Sequence, residues 1–161
     1  MERQSDNTWM IHTLEAEKEY PEFKTLAQKE AAVPEADKTA IITLLETDIK
    51  ARNEKNAELL STLLNPASLA DYGFTSKEEL RSYYEFFFQQ QKIQYTMEKP
   101  VIITYEANKA TVYFNRTILE AGNPDSRRLQ VVSLVTVVKG SDGGWYLNPL
   151  AEISLHSELF E

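Results

Sequence analysis

The chain has 161 residues, enough for one domain with a real core, and 42% hydrophobic residues, 11% of all residues being aromatic, can fill it. A formal net charge of -8 without a dense basic patch opposes phosphate backbones and anionic lipid head groups, so neither nucleic acid nor a membrane surface is an expected partner. The lack of any cysteine removes disulfides, thiolate metal sites and cysteine nucleophiles.

Residues 1–36 read as a loosely helical extension. Trp9, Met10, Ile11 and Leu14 could form one turn, and Phe23, Leu26 and Ala27 another, with Pro21 between them. The main domain is assigned to 37–161. The amino terminus lacks the apolar run of a signal peptide, and no stretch approaches the ~18 apolar residues of a membrane span. The expected compartment is therefore the cytoplasm, with a secreted or envelope-associated protein whose leader was removed as the alternative.

From 37 to 64 the chain carries Ile41, Leu44, Leu45, Ile49, Leu59, Leu60, Leu63 and Leu64 without proline or glycine, which predicts one long helix with a polar middle. Asn65-Pro66 then restarts the chain, with Asn65 as cap and Pro66 at the first helical position, and Gly73 ends a short helix after Tyr72. A capping box at Thr75-Ser-Lys-Glu78 precedes Leu80, Tyr83, Tyr84, Phe87 and Phe88 at helical spacing, predicting a second long helix over 76–91.

Beyond Gln91 the period changes to two. Turn signals at Glu106-Ala-Asn108, at Gly122-Asn-Pro-Asp-Ser126 and at Gly140-Ser-Asp-Gly-Gly144 divide the rest into strands near 92–105, 109–120, 127–139 and 145–155. They should form an antiparallel meander, bent where Pro100 and Pro149 interrupt the ladder. In the third strand Val131, Val135 and Val137 share one parity, and Val132, Leu134 and Val138 the other. Both faces must then be covered, and helices cover only one of them, so a homodimer through the other sheet face is expected.

A long helix ending in Leu59-Leu60-Ser-Thr-Leu63-Leu64-Asn65-Pro66, a short helix, an aromatic helix and long strands with an Asp142-Gly-Gly-Trp145-Tyr-Leu return resemble the nuclear transport factor 2-like superfamily, which includes SnoaL-like proteins. The resemblance covers about 37–155. It implies an α+β, cystatin-like fold in which a bent antiparallel sheet wraps two to three N-terminal helices into a cone with a pocket. Such proteins range from isomerases, dehydratases, cyclases and epoxide hydrolases to binding and assembly modules, and exported bacterial members exist.

Enzymes of that design place an aspartate or histidine on a strand with a tyrosine nearby, inside an apolar cone. Here no aspartate lies within the four strands; Asp125 and Asp142 fall in turns, and His12 and His156 are isolated and far apart. The strand sequence Arg116-Thr-Ile118 also lacks the aspartate two positions on that an epoxide-hydrolase-like pairing needs. No catalytic residue, metal or cofactor is therefore assigned, and the balance leans away from an enzyme.

Candidate pocket residues remain. Asp48 and Arg52, one helical turn apart beside the apolar stripe, could pair at the cone mouth. Arg116 shares parity with Val112, Phe114 and Ile118, where a charge needs a carboxylate or an anionic ligand, and Glu98 and Glu152 are the available cross-strand partners. Tyr83, Tyr84, Tyr113 and Asn148 could add hydroxyl or amide groups to an apolar cavity. On the third strand Ser133 and Thr136 are the only polar side chains between Val131 and Val138, and no acid or base accompanies them.

The leading functional expectation is a SnoaL-like homodimer that binds a small, partly apolar ligand or serves in assembly. The enzymatic alternative is an isomerase, dehydratase or hydrolase with Asp48 as base, Arg116 as anion stabiliser and Tyr84 as proton donor.

Overall fold

The computed structural model describes residues 30–90, 92–120 and 128–160. The expected turns around Trp9 and Phe23 and the turn at 122–126 lie outside them. Helix α1 (Glu35–Glu54) carries Glu35 and Asp37 in its first turn, where carboxylates complement the exposed amides, and buries Ile41, Leu44, Leu45, Asp48 and Ile49 along one face. It stops at Lys55, whose φ of 55 is left-handed, and the Asn56 side chain accepts a hydrogen bond from Leu59 N to open α2 (Ala57–Ser61). The long helix expected over 37–64 is therefore two. From Arg52 to Asn56 no side chain is buried enough to hold another turn, and Asn56 gains more as a cap than inside a helix.

A 3-10 helix (Pro66–Tyr72) follows as expected, with Asn65 accepting from Ala67 N at 3.0 Å and Gly73 closing it at a φ of 91. Helix α3 (Lys77–Gln90) has its capping box one residue later than expected. Ser76 accepts from Glu79 N at 3.1 Å, and Glu79 reaches back to Thr75 N at 2.8 Å. The Ser76-Lys-Glu-Glu79 frame satisfies the same spacing as the Thr75 frame, and it is the one in use.

The sheet is a bent antiparallel meander. The expected first strand is broken at 98–100, where Pro100 has no N–H to give, into β1 (Ile93–Met97) and β2 (Val101–Glu106). Both pair with β3 (Lys109–Glu120), β2 beside its first half and β1 beside its second. Strand β3 pairs with β4 (Arg128–Lys139), and β4 with β5 (Trp145–Phe160). Opposite Val135 alone, β5 carries residues 149–152, because Thr136 pairs with Asn148 and Leu134 with Ile153. That wide bulge at Pro149 bends β5.

The core lies between α1 and the inner sheet face: Ile41, Leu45, Ile102, Val112, Phe114, Val135, Val137 and Trp145 form one cluster. Three polar ties fix helix to sheet. Trp145 Nε1 donates to Asp37 Oδ1 at 3.2 Å, and the Tyr105 hydroxyl donates to the other Asp37 oxygen. Asn53 bonds both backbone groups of Tyr95, at 2.7 and 2.8 Å, as an additional strand would. Leu147 N donates to Leu63 O at 2.8 Å.

Residues of opposite parity form a second, smaller cluster in which Tyr113, Val132 and Leu155 pack with Val101, Ile103 and Leu134. Val101, Tyr113, Leu134 and Ile153 are paired directly across β2, β3, β4 and β5, so they make one apolar row on the face turned away from α1. Among the described residues no helix is long and apolar enough to cross a membrane.

Candidate functional site

The bend leaves a two-part cavity between α1, α3 and the inner face of the sheet. Its outer part, about 380 Å³, is walled by Leu64, Tyr72, Phe74, Leu80, Tyr83, Phe87, Pro149 and Leu150. Phe74 and Tyr83 meet edge to face with centroids 5.6 Å apart, so the aromatic stripe of α3 turns partly into the cavity wall. An inner part of about 70 Å³ is lined by Asp48, Arg52, Tyr84, Phe114, Arg116, Asn148 and Glu152 together with apolar neighbours. Arg52, Leu64, Tyr84 and Pro149 line both parts.

Two ion pairs occupy the inner chamber. Asp48, only 4% exposed, accepts from Arg52 Nε at 3.1 Å on the same helix. Arg116 Nη2 donates to Glu152 at 2.6 Å and to the Ser133 hydroxyl at 3.0 Å, and that hydroxyl in turn donates to Glu152 at 2.9 Å. The Arg116 guanidinium lies over the Phe114 ring at 4.7 Å, and its buried Nε has no hydrogen-bond partner. A cation resting on an aromatic face recovers part of what that donor loses.

Apart from Asp48 Oδ2 and Glu152 Oε1, the groups left unengaged among the described residues are donors. Tyr84 makes no hydrogen bond through its hydroxyl among the described residues; burial pushes this phenol up, Arg52 opposes that and Asp48 adds to it, so it is a neutral donor near pH 7. For Arg52, burial alone would push the guanidinium down. The Asp48 carboxylate, with Tyr95 and Tyr84, outweighs burial and holds it above its ordinary value. Asn148 accepts from Leu150 N through Oδ1 at 3.3 Å, which leaves its amide nitrogen to give.

Of the side chains singled out from the sequence, Asp48, Arg52, Tyr84, Arg116 and Asn148 meet in the inner chamber, and Tyr83 stands in the outer wall. Tyr113 does not join them. It lies between Val112 and Phe114, which face α1, and strand alternation turns it to the opposite face beside Val132 and Leu155. Of the two proposed partners for Arg116, Glu152 is the one that bonds it. Ser133 therefore does have an acid beside it, supplied by β5 rather than by its own strand. Among the described residues no group of three or more His, Asp or Glu side chains is arranged to hold a metal ion.

No protein-family model matches the sequence, and no curated protein matches it significantly. Solved structures do match in shape. A candidate dehydratase of the nuclear transport factor 2-like family from Streptomyces avermitilis is 19% identical, with a TM-score of 0.55 over 71% of this chain and 93% of that one. A cystatin-like protein from Nostoc punctiforme is 17% identical, with a TM-score of 0.56 over 73% and 90%. A candidate calcium/calmodulin-dependent protein kinase II association domain from Xanthomonas campestris is 20% identical, with a TM-score of 0.51 over 82% and 94%. The chain has the α+β, nuclear transport factor 2-like, cystatin-like fold. Proteins of this shape include candidate enzymes and an association domain, so the shape alone selects no activity.

Proposed function

We propose that this protein binds a small, partly apolar molecule in the cavity, without transforming it, and does so as a homodimer. One observation carries the reading: both carboxylates of the chamber are held by arginines, while an open apolar antechamber leads to them. A general base must reach the proton it removes. Asp48 gives its Oδ1 to Arg52, and Glu152 Oε2 is shared between Arg116 and Ser133, so the enzymatic alternative built on Asp48, Arg116 and Tyr84 would have to take its proton on Asp48 Oδ2 while Oδ1 stays on the guanidinium.

The pairing of two copies is supported by the apolar row Val101, Tyr113, Leu134 and Ile153, whose last member is 59% exposed. An uncharged row of this kind is self-complementary across a two-fold axis, although each copy carries a net charge of -8.

Incubation with a panel of aromatic compounds should raise the melting temperature, and chromatography should recover each compound unchanged. Turnover that disappears in Asp48→Asn would overturn the non-catalytic reading. Light scattering at micromolar concentration should give twice the 18.5 kDa chain mass, and Leu134→Glu should halve it. A monomeric wild-type chain would remove the dimer from the proposal.

A further inference from the structure

We infer that the cavity selects a monoanionic ligand with a flat apolar body, its carboxylate or equivalent oxyanion held by Arg52, Tyr84 and Asn148. This rests on the binding reading above and adds the ligand's chemistry to it. The first argument is a balance of donors and acceptors. Asp48 and Glu152 are the chamber's carboxylates, and each accepts through one oxygen already, which leaves Asp48 Oδ2 and Glu152 Oε1 as its open carboxylate oxygens among the described residues. Arg52 spends only Nε on Asp48, so its two terminal nitrogens make no hydrogen bond among the described residues. The Tyr84 hydroxyl and the Asn148 amide nitrogen likewise have no protein acceptor. These open N–H and O–H groups outnumber the two open carboxylate oxygens, so a ligand offering acceptors completes more of the chamber than one offering donors.

Charge points the same way. The two carboxylates are neutralised by Arg52 and Arg116, so an incoming cation would meet two guanidiniums and no unpaired anion. An anion at Arg52 would form charge-assisted hydrogen bonds inside a partly dry chamber, where such bonds are stronger than in water.

Size divides the ligand into head and body. The inner part, about 70 Å³, has room for roughly two groups the size of a water molecule at about 30 Å³ each, which suits a carboxylate and excludes a ring. The outer part, about 380 Å³ between Phe74, Tyr83 and Phe87, suits one or two fused rings. Arg52 and Tyr84 line both parts and therefore stand where head joins body.

The test is calorimetric titration of the full chain with 2-naphthoate, 2-naphthalenemethanol and 2-naphthylmethylammonium, which share one body and differ in the head. The expected order is naphthoate tighter than the alcohol by roughly tenfold or more, with the ammonium weakest. In Asp48→Asn/Arg52→Gln and in Tyr84→Phe that preference should shrink while the alcohol binds as before. Tyr84→Phe removes one oxygen and no hydrogen bond among the described residues, so it reports even if the double variant fails to fold. Equal binding of naphthoate and alcohol would overturn the anion inference and leave the cavity reading standing. Equal binding of the ammonium, or a preference that survives in every folded variant, would also overturn it. If none of the three compounds binds, both the inference and the binding reading fail.

Discussion

Asp37 and Asp48 sit on the same helix and on opposite sides of a division in what a charge is for. Asp37 collects donors from the sheet: the Tyr105 hydroxyl, Trp145 Nε1 at 3.2 Å and Lys139 Nζ at 3.6 Å. Its acceptors are consumed between elements, and the result is architecture, because α1 is clamped to β2, β4 and β5. Asp48 is consumed within its own helix by Arg52, three turns further on than Asp37. A pair closed within one element leaves the cation's remaining donors facing the cavity. The same residue type thus closes one end of the cone and furnishes the other.

The division can be broken most forcefully at the architectural end. Trp145 is 7% exposed and packs in the main core, so Trp145→Ala should cost about 3–5 kcal/mol in urea unfolding through lost burial and the cavity left behind. A loss below 1 kcal/mol would mean that the Asp37 clamp does not hold the fold. At the other end, Arg52→Ala strands the buried Asp48 carboxylate and should cost roughly 2–4 kcal/mol, whereas Asp48→Asn/Arg52→Gln should lie within about 1 kcal/mol of wild type. Equal losses in the single and double variants would contradict that account.

Tyr84→Phe sharpens the contrast, since a hydroxyl without a partner among the described residues can be removed with a stability change under about 1 kcal/mol. Ligand affinity should fall while the urea midpoint barely moves. The smallest effect is in pH dependence. The Tyr105 hydrogen bond first, then that from Trp145, and also the Lys139 charge, hold the Asp37 carboxyl below its ordinary value against a burial effect that raises it. A lowered folded-state value means that the stabilisation is full above the unfolded value, about 3.9, and is lost as pH falls through the folded one. Asp37→Asn should flatten the acid limb of a stability-against-pH curve, and an unchanged limb would assign the acid sensitivity elsewhere.

Much of this was legible because it is local. Asn65, Pro66 and Gly73 marked a short helix by cap, ring and left-handed backbone, and each has that role. Arg116 was legible as a site residue because β3 alternates without interruption from Ala110 to Arg116, its even positions facing α1. The same alternation turns Tyr113, a candidate for its hydroxyl, to the opposite face. Glu152 was legible only as one of two candidate partners for Arg116, beside Glu98. The bulge at 149–152 breaks the alternation of β5, and only the three-dimensional register brings its carboxylate to Ser133 and Arg116. The helix break at Lys55 was hidden because its causes, an unburied turn and the Asn56 cap, look like an ordinary polar helix face.

The central claim is that the donors left over at the Asp48 end of α1 receive an acceptor-bearing ligand. A crystal structure of the protein saturated with 2-naphthoate tests it most directly. The account predicts the rings between Phe74, Tyr83 and Phe87 with the carboxylate against Arg52 and Tyr84. A carboxylate turned toward solvent, or a cavity empty at saturation, would contradict it.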